Sequence, residues 1–243
     1  MWRFLVAAFL LSAAPAQAAV TIDGTCTDTG SGVSPRAGTA DVAAGHTGQV
    51  MVLAVTVASN DALSAVTAAW DTGATNQSMT ALGSANVGTA QVYMFGLRNP
   101  TVGTSLTFAA SWTGGGQVII YECVFQGADV TTDATAFPVA SRVSATNQAP
   151  ISVAVPSATG NIAFAGFDST ANFTSTTGVN NHFNNAGSQW ATAADYWATT
   201  GASTTVSASP GSGTTSVVVA FEIAQTAGAA TVSPSLMLMG VGP

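Results

Sequence analysis

Apolar and polar residues alternate with period two along most of this chain, which is the signature of half-buried strands. In 105–112, Leu106, Phe108, Ala110 and Trp112 share one face, and Ser105, Thr107, Ala109 and Ser111 share the other. In 117–126, Ile119, Tyr121, Cys123 and Phe125 oppose Ile120, Glu122 and Val124. Segment 91–97 alternates in the same way, with Gln91, Tyr93, Phe95 and Leu97 against Val92, Met94 and Gly96. Segment 50–58 is almost continuously apolar and predicts a central strand covered on both faces. Further strands are expected at 66–70, 79–82, 151–155, 161–167, 203–208 and 216–224, with Gly, Asn, Ser, Thr and Pro clusters between them. No window carries a convincing helical period, and 62–70, the nearest, reads as strand or loop. No repeat of fixed period is apparent. About ten short strands at this spacing predict an all-β fold, a jelly-roll-like antiparallel β-sandwich forming a single domain over 19–226.

The two ends read differently. Residues 1–18 have the three parts of a secretory signal peptide: Arg3, the apolar stretch 4–11, and the small-x-small site Ala16-Gln17-Ala18. The apolar stretch is too short to span a bilayer, which takes about 20 residues. No integral membrane segment is expected after its removal. The protein is therefore expected to be secreted: periplasmic, extracellular or on the cell surface. Residues 227–243 form a small-residue linker followed by the apolar tail Leu236-Met237-Leu238-Met239. That tail either pairs with a sheet edge of a neighbouring subunit, giving self-association, or folds back on its own domain.

Charge narrows the function. Only 6% of residues are charged, there is no lysine, and four basic residues face eleven acidic ones. Without the leader the basic groups are Arg36, Arg98 and Arg142. Three scattered arginines cannot replace the counterions of a nucleic acid, so no nucleic-acid partner is expected. The cysteines, Cys26 and Cys123, read as one disulfide in an oxidising compartment, with two buried thiols as the alternative.

Few constellations carry chemistry. Glu122 and Glu222 are the only glutamates, each within a strand; on one concave face they would make the acid–base pair of a glycoside hydrolase. Unrelated strand carboxylates are the simpler reading. His46 and His182 lack a serine elbow, so no hydrolytic triad is expected. Metal ligation by His and Cys lacks spacing and numbers, and neither a metal nor a cofactor is expected. Asp129 and Asp133 make the best candidate calcium loop, though without a calcium-loop signature. The polar segment 169–200 concentrates Asn180, Asn181, His182, Asn184, Trp190, Tyr196 and Trp197, residue types that grip sugars through amides and flat rings. Tyr196 and Trp197 are neighbours in a strand, so at most one is expected to face the core.

Segment 92–129 reads VYMFGLRNPTVGTSLTFAASWTGGGQVIIYECVFQGAD. It resembles a loosely defined group of bacterial and phage β-sandwich proteins: an aromatic strand at Tyr93, Asn99-Pro100-Thr101-Val102-Gly103, a strand ending at Trp112, and Gly127-Ala128-Asp129. Segment 194–224 is also similar, and with 51–58 the likeness spans most of the chain after the leader. It implies a fold and an association with surface or virion structural proteins, and no catalytic residues. The resulting expectation is a secreted, non-enzymatic surface or structural module contacting a neutral polymer such as a glycan, or like subunits. A glycosidase using Glu122 and Glu222 and a phage-derived virion or tail accessory protein are the alternatives.

Overall fold

A computed structural model describes residues 19–59, 61–71, 73–146, 150–179, 182–184 (backbone only), 191–210 and 215–226. The fold is all-β and antiparallel, as the alternation predicts, and the strands fall into four sheets. The first half of the chain supplies β1 (Thr21–Ile22), β2 (Thr27–Asp28), β3 (Arg36–Val42), β4 (Val50–Val57), β5 (Ser64–Trp70), β6 (Gln77–Ser78), β7 (Thr80–Val87), β8 (Ala90–Arg98), β9 (Gly103–Thr113) and β10 (Val118–Gln126). After a short helix, Asp133–Ala136, the second half supplies β11 (Val143–Thr146), β12 (Ile151–Pro156), β13 (Ile162–Ser169), β14 (Phe173–Thr176), β15 (His182–Asn184), β16 (Ala191–Ala198), β17 (Ser203–Pro210) and β18 (Ser216–Ile223).

The two halves share one connectivity. In the first, a sheet ordered β1-β10-β4-β8-β7, with β2 also pairing β10, packs on a sheet ordered β3-β9-β5-β6. In the second, β11-β18-β13-β16-β15 packs on β12-β17-β14. Matched in chain order, β2, β3, β4, β5, β7, β8, β9 and β10 correspond to β11 through β18. In each half the chain crosses between its two sheets in the manner of a jelly roll. The register repeats as well. Val50 pairs with both Phe125 and Arg98, and Ile162 pairs with both Ile223 and Ala198. The jelly-roll order predicted once for 19–226 thus occurs twice.

The halves are stacked so that four layers result. One core lies between the two large sheets and joins Val52, Met94, Tyr121 and Phe125 to Phe164, Tyr196, Val219 and Phe221. Two flanking cores lie between each large sheet and its outer sheet: Trp70, Phe95, Phe108 and Trp112 in the first half, and Phe167, Phe173, Trp197 and Val206 in the second. This explains why every residue of β4, β13 and β18 is buried. Both faces of these strands meet a core, so they cannot alternate in polarity.

The central contact is close. A Cβ on Gly166 would lie 2.9 Å from Ala54 Cβ and 3.0 Å from Met94 Sδ of the opposing sheet. Gly166→Ala is therefore expected to lower stability by about 1–3 kcal/mol through overpacking. An unchanged urea midpoint would show that the large sheets separate without cost. Polar clasps cross the same contact: the Tyr121 hydroxyl donates to the Thr192 carbonyl at 2.9 Å, and Gln91 N–H donates to Asp168 Oδ2 at 2.7 Å. The Cys26–Cys123 disulfide ties the segment between β1 and β2 to β10 at the margin of this core.

Segment 169–200 is more regular than its polarity suggests. It contains β14, β15 and β16. Strand β16 is rich in alanine because it packs closely on both sides, which hides its strand character from a hydrophobicity reading.

Candidate functional site

Of the residues expected to bind sugar, Tyr196 and Trp197 have described side chains. Asn180, Asn181 and Trp190 lie outside the described residues, as do the side chains of His182 and Asn184, whose backbones pair with Ala194 and Thr192. Tyr196 and Trp197 do point to opposite faces of β16, but each face meets a core. Tyr196 is half-buried, with its ring edge-on to Phe125 at 5.5 Å between centroids. Trp197 is buried, edge-on to Phe167 at 6.2 Å, and its indole N–H donates to Thr177 Oγ1 at 3.1 Å. The expectation that at most one of the pair faces a core is corrected, because the sheet is covered on both sides. Trp197 has no flat face open for stacking.

Glu122 and Glu222 are not brought together as an acid–base pair. They lie on different sheets, on β10 and β18, and each projects away from the central core toward its own outer sheet. Glu222 is buried; its Oε1 accepts from Ala158 N–H and from Asn161 Nδ2, both at 2.6 Å. That carboxylate organises the turn before β13. Asp129 and Asp133 are also absorbed locally. Asp129 Oδ1 accepts from Thr131 N–H at 3.0 Å, while Asp133 pairs with Arg98 and accepts from Thr80 Oγ1 at 2.7 Å. These bonds hold both aspartates below the usual carboxylate range. Among the described residues no group of three or more His, Cys, Asp and Glu is placed to hold a metal ion.

Two surface features have some chemical definition. The first is a cleft of about 280 Å³ lined by Asp23, Gly24, Thr25, Thr27, Thr39, Ala40 and Asp41. Asp23 is held by His46 Nδ1 at 2.8 Å and Gln49 Nε2 at 2.6 Å, and Asp41 accepts from Ser105 N–H at 2.6 Å. Glu122 is 1% exposed; its Oε2 accepts from Thr27 Oγ1 at 3.2 Å, and its Oε1 has no partner. Burial pushes the Glu122 carboxyl up to about 8, with the Thr27 hydroxyl opposing and the charge of Asp41 adding to the rise. The cleft is thus acidic, but Glu122 is too enclosed to meet a ligand.

The second feature is the pair of outer sheets. Outward positions of the first outer sheet match Thr39 with Thr107, Ala37 with Ala109, Ala109 with Ala69, Ala69 with Ser78, and Ser111 with Thr67. A trough of about 390 Å³ crosses this face, lined by Thr67, Ala69, Asn76, Ser78, Ala109 and Ser111 among others, with no charged residue in its lining. The second outer sheet repeats the theme: Ser152 faces Ser207, Ala154 faces Thr205, and Pro156 faces Ser203. Both ends of the four-layer stack are therefore paved with hydroxyl and methyl groups, with Asp41 at one rim of the first. The sequence signal for this surface was the polar half of the alternation in 105–112, which marks the outward face without marking it as functional.

The chain was compared with protein-family models, curated proteins and solved structures, and no significant match was found in any of the three.

Proposed function

We propose that the protein is an exported, non-catalytic sandwich module that contacts a neutral polymer, a glycan foremost, through its outer sheets. Association with like subunits through the 227–243 tail is the second mode of contact in this reading. The observation that carries the proposal is the near absence of charge from the two outer faces. A neutral polyhydroxylated chain laid on such a face exchanges its hydrogen bonds to water for bonds to Ser and Thr hydroxyls. It covers the alanine and threonine methyls at the same time, and no ion has to be stripped of water. Export is supported by the leader-like pattern of 1–18 and by the disulfide.

A glycan array and pull-down on insoluble neutral polysaccharides test the polymer contact. Binding is expected to persist at high salt, because little of it is Coulombic. Placing a carboxylate on each face, Thr107→Glu with Thr205→Glu, is expected to weaken it by about tenfold or more. Deleting 235–243 is expected to shift elution in size-exclusion chromatography. An array without a binder, together with unchanged elution, overturns the reading.

A further inference from the structure

The contact between the two halves joins like to like. Matched by register, Val52 corresponds to Phe164, Ala54 to Gly166, Met94 to Ala194, Tyr121 to Val219 and Cys123 to Phe221. All of these but Gly166 belong to the central core, so the same face of each large sheet meets its counterpart. Gly166 closes on its own equivalent, since a Cβ there would lie 2.9 Å from Ala54 Cβ. Like faces meet in this way across an approximate twofold axis lying in the plane between them, and residues beside such an axis touch their equivalents. A repeat by translation would instead set the inner face of one half on the outer sheet of the other. The halves are therefore related as the subunits of a twofold dimer, fused in one chain. The same axis carries one outer sheet onto the other and points the two in opposite directions. Three intersheet steps of about 10 Å put the outer sheets about 30 Å apart.

We propose that the protein bridges two chains of a neutral polysaccharide, one on each outer sheet, a function that rests on the polymer contact proposed above. The two faces offer the same chemistry. Thr39 beside Thr107 and Ala37 beside Ala109 form outward rows on the first, and Ala154 beside Thr205 and Ser152 beside Ser207 form them on the second. The trough of the first face has no charged residue in its lining, and β12, β14 and β17 of the second contain none at all. One kind of neutral chain therefore suits both. A straight stretch of polymer laid on one face runs away from the other, so a single stretch cannot engage both, and the second face is left for a second chain. The central core fixes the spacing between the two chains. Its close contact at Ala54 and Gly166 leaves the halves no slack to turn both faces toward one chain.

A two-step capture tests this. The full chain is bound to insoluble cellulose, chitin and curdlan, washed, and offered the matching soluble fluorescent oligosaccharide. The unsubstituted protein is expected to stay on the solid and to hold the oligosaccharide on its free face. Thr107→Glu and Thr205→Glu, each alone, are expected to stay on the solid by the intact face and to cut the captured oligosaccharide about tenfold. Urea midpoints equal to that of the unsubstituted protein check that both variants are folded. Protein that stays on the solid and captures nothing overturns the bridge and leaves the polymer contact standing. A single-face variant that captures as much as the unsubstituted protein overturns it as well, as does one substitution that alone removes the protein from the solid. Capture that disappears when 235–243 is deleted assigns the second face to another subunit and also overturns it. Failure to stay on any of the three solids overturns the polymer contact itself, and the bridge with it.

Discussion

Replacing Glu122 with glutamine is expected to raise stability at pH 8 and above and to lower it at pH 4. Burial lifts this carboxyl from the ordinary 4.5 of a glutamate to about 8. Below pH 4.5 the group is protonated whether the chain is folded or unfolded, so it contributes no pH dependence. Between 4.5 and 8 the unfolded chain releases the proton and the folded chain retains it. Stability therefore falls as pH rises through this window, by about 1.4 kcal/mol per unit at most, and the loss is complete above the folded value. The whole window amounts to roughly 5 kcal/mol. Part of that gain is lost in the variant, because the glutamine amide inherits a position where Oε1 has no partner. A net gain of about 3 kcal/mol at pH 8.5 and a loss of about 2 kcal/mol at pH 4 are the expected results. Asp168 acts in the same direction: it is fully buried, raised well above the usual carboxylate value by desolvation, and one of its oxygens is unpaired. Some slope therefore remains in Glu122→Gln. Urea denaturation at pH 4, 6 and 8.5 gives the curves. A wild-type midpoint that is flat across this range would refute the argument.

Removing the disulfide is the second large effect expected. Cys26 and Cys123 are 97 residues apart in sequence, so the bond closes most of the first half into one covalent loop. For a loop of that length the unfolded-chain entropy argument gives about 4–5 kcal/mol. Cys123 is 2% exposed within the central core, and Cys26 packs against the same core. The double substitution Cys26→Ala, Cys123→Ala adds a small cavity to the entropic loss. Reduction without substitution is expected to give the lower figure. The measurement is a guanidinium midpoint with and without reductant at constant pH. A shift below about 1 kcal/mol would mean that the unfolded chain is already constrained without the bond.

How much of this was legible in the sequence follows from what covers each strand. The half-buried strand at 105–112 was readable because one of its faces is solvent, and its Leu106, Phe108, Ala110 and Trp112 face became the first flanking core. The continuous run at 50–58 was readable as a strand covered on both faces. The duplication was not. Equivalent stretches of strand are 50–57 and 162–169, 91–98 and 191–198, and 118–125 and 216–223. Their spacing shortens along the chain, so no fixed period exists. The matching positions also differ in bulk: Tyr93 and Phe95 occupy places taken by Ala193 and Asp195. The alternation rule placed Tyr196 and Trp197 on opposite faces correctly. It could not reveal that a second sheet covers the other side. Glu222 misleads for the same reason, since a carboxylate in a strand suggests solvent until the outer layer is known.

The four-layer stack also sets where this protein has room to change. A substitution in β4 or β13 has two cores to satisfy at once, so almost any new side chain there is opposed from one side or the other. On the outer strands every second position answers to water alone. Heritable variation is thereby steered outward, and the two end sheets are the part of the molecule where a new specificity can be written without disturbing what holds the rest together.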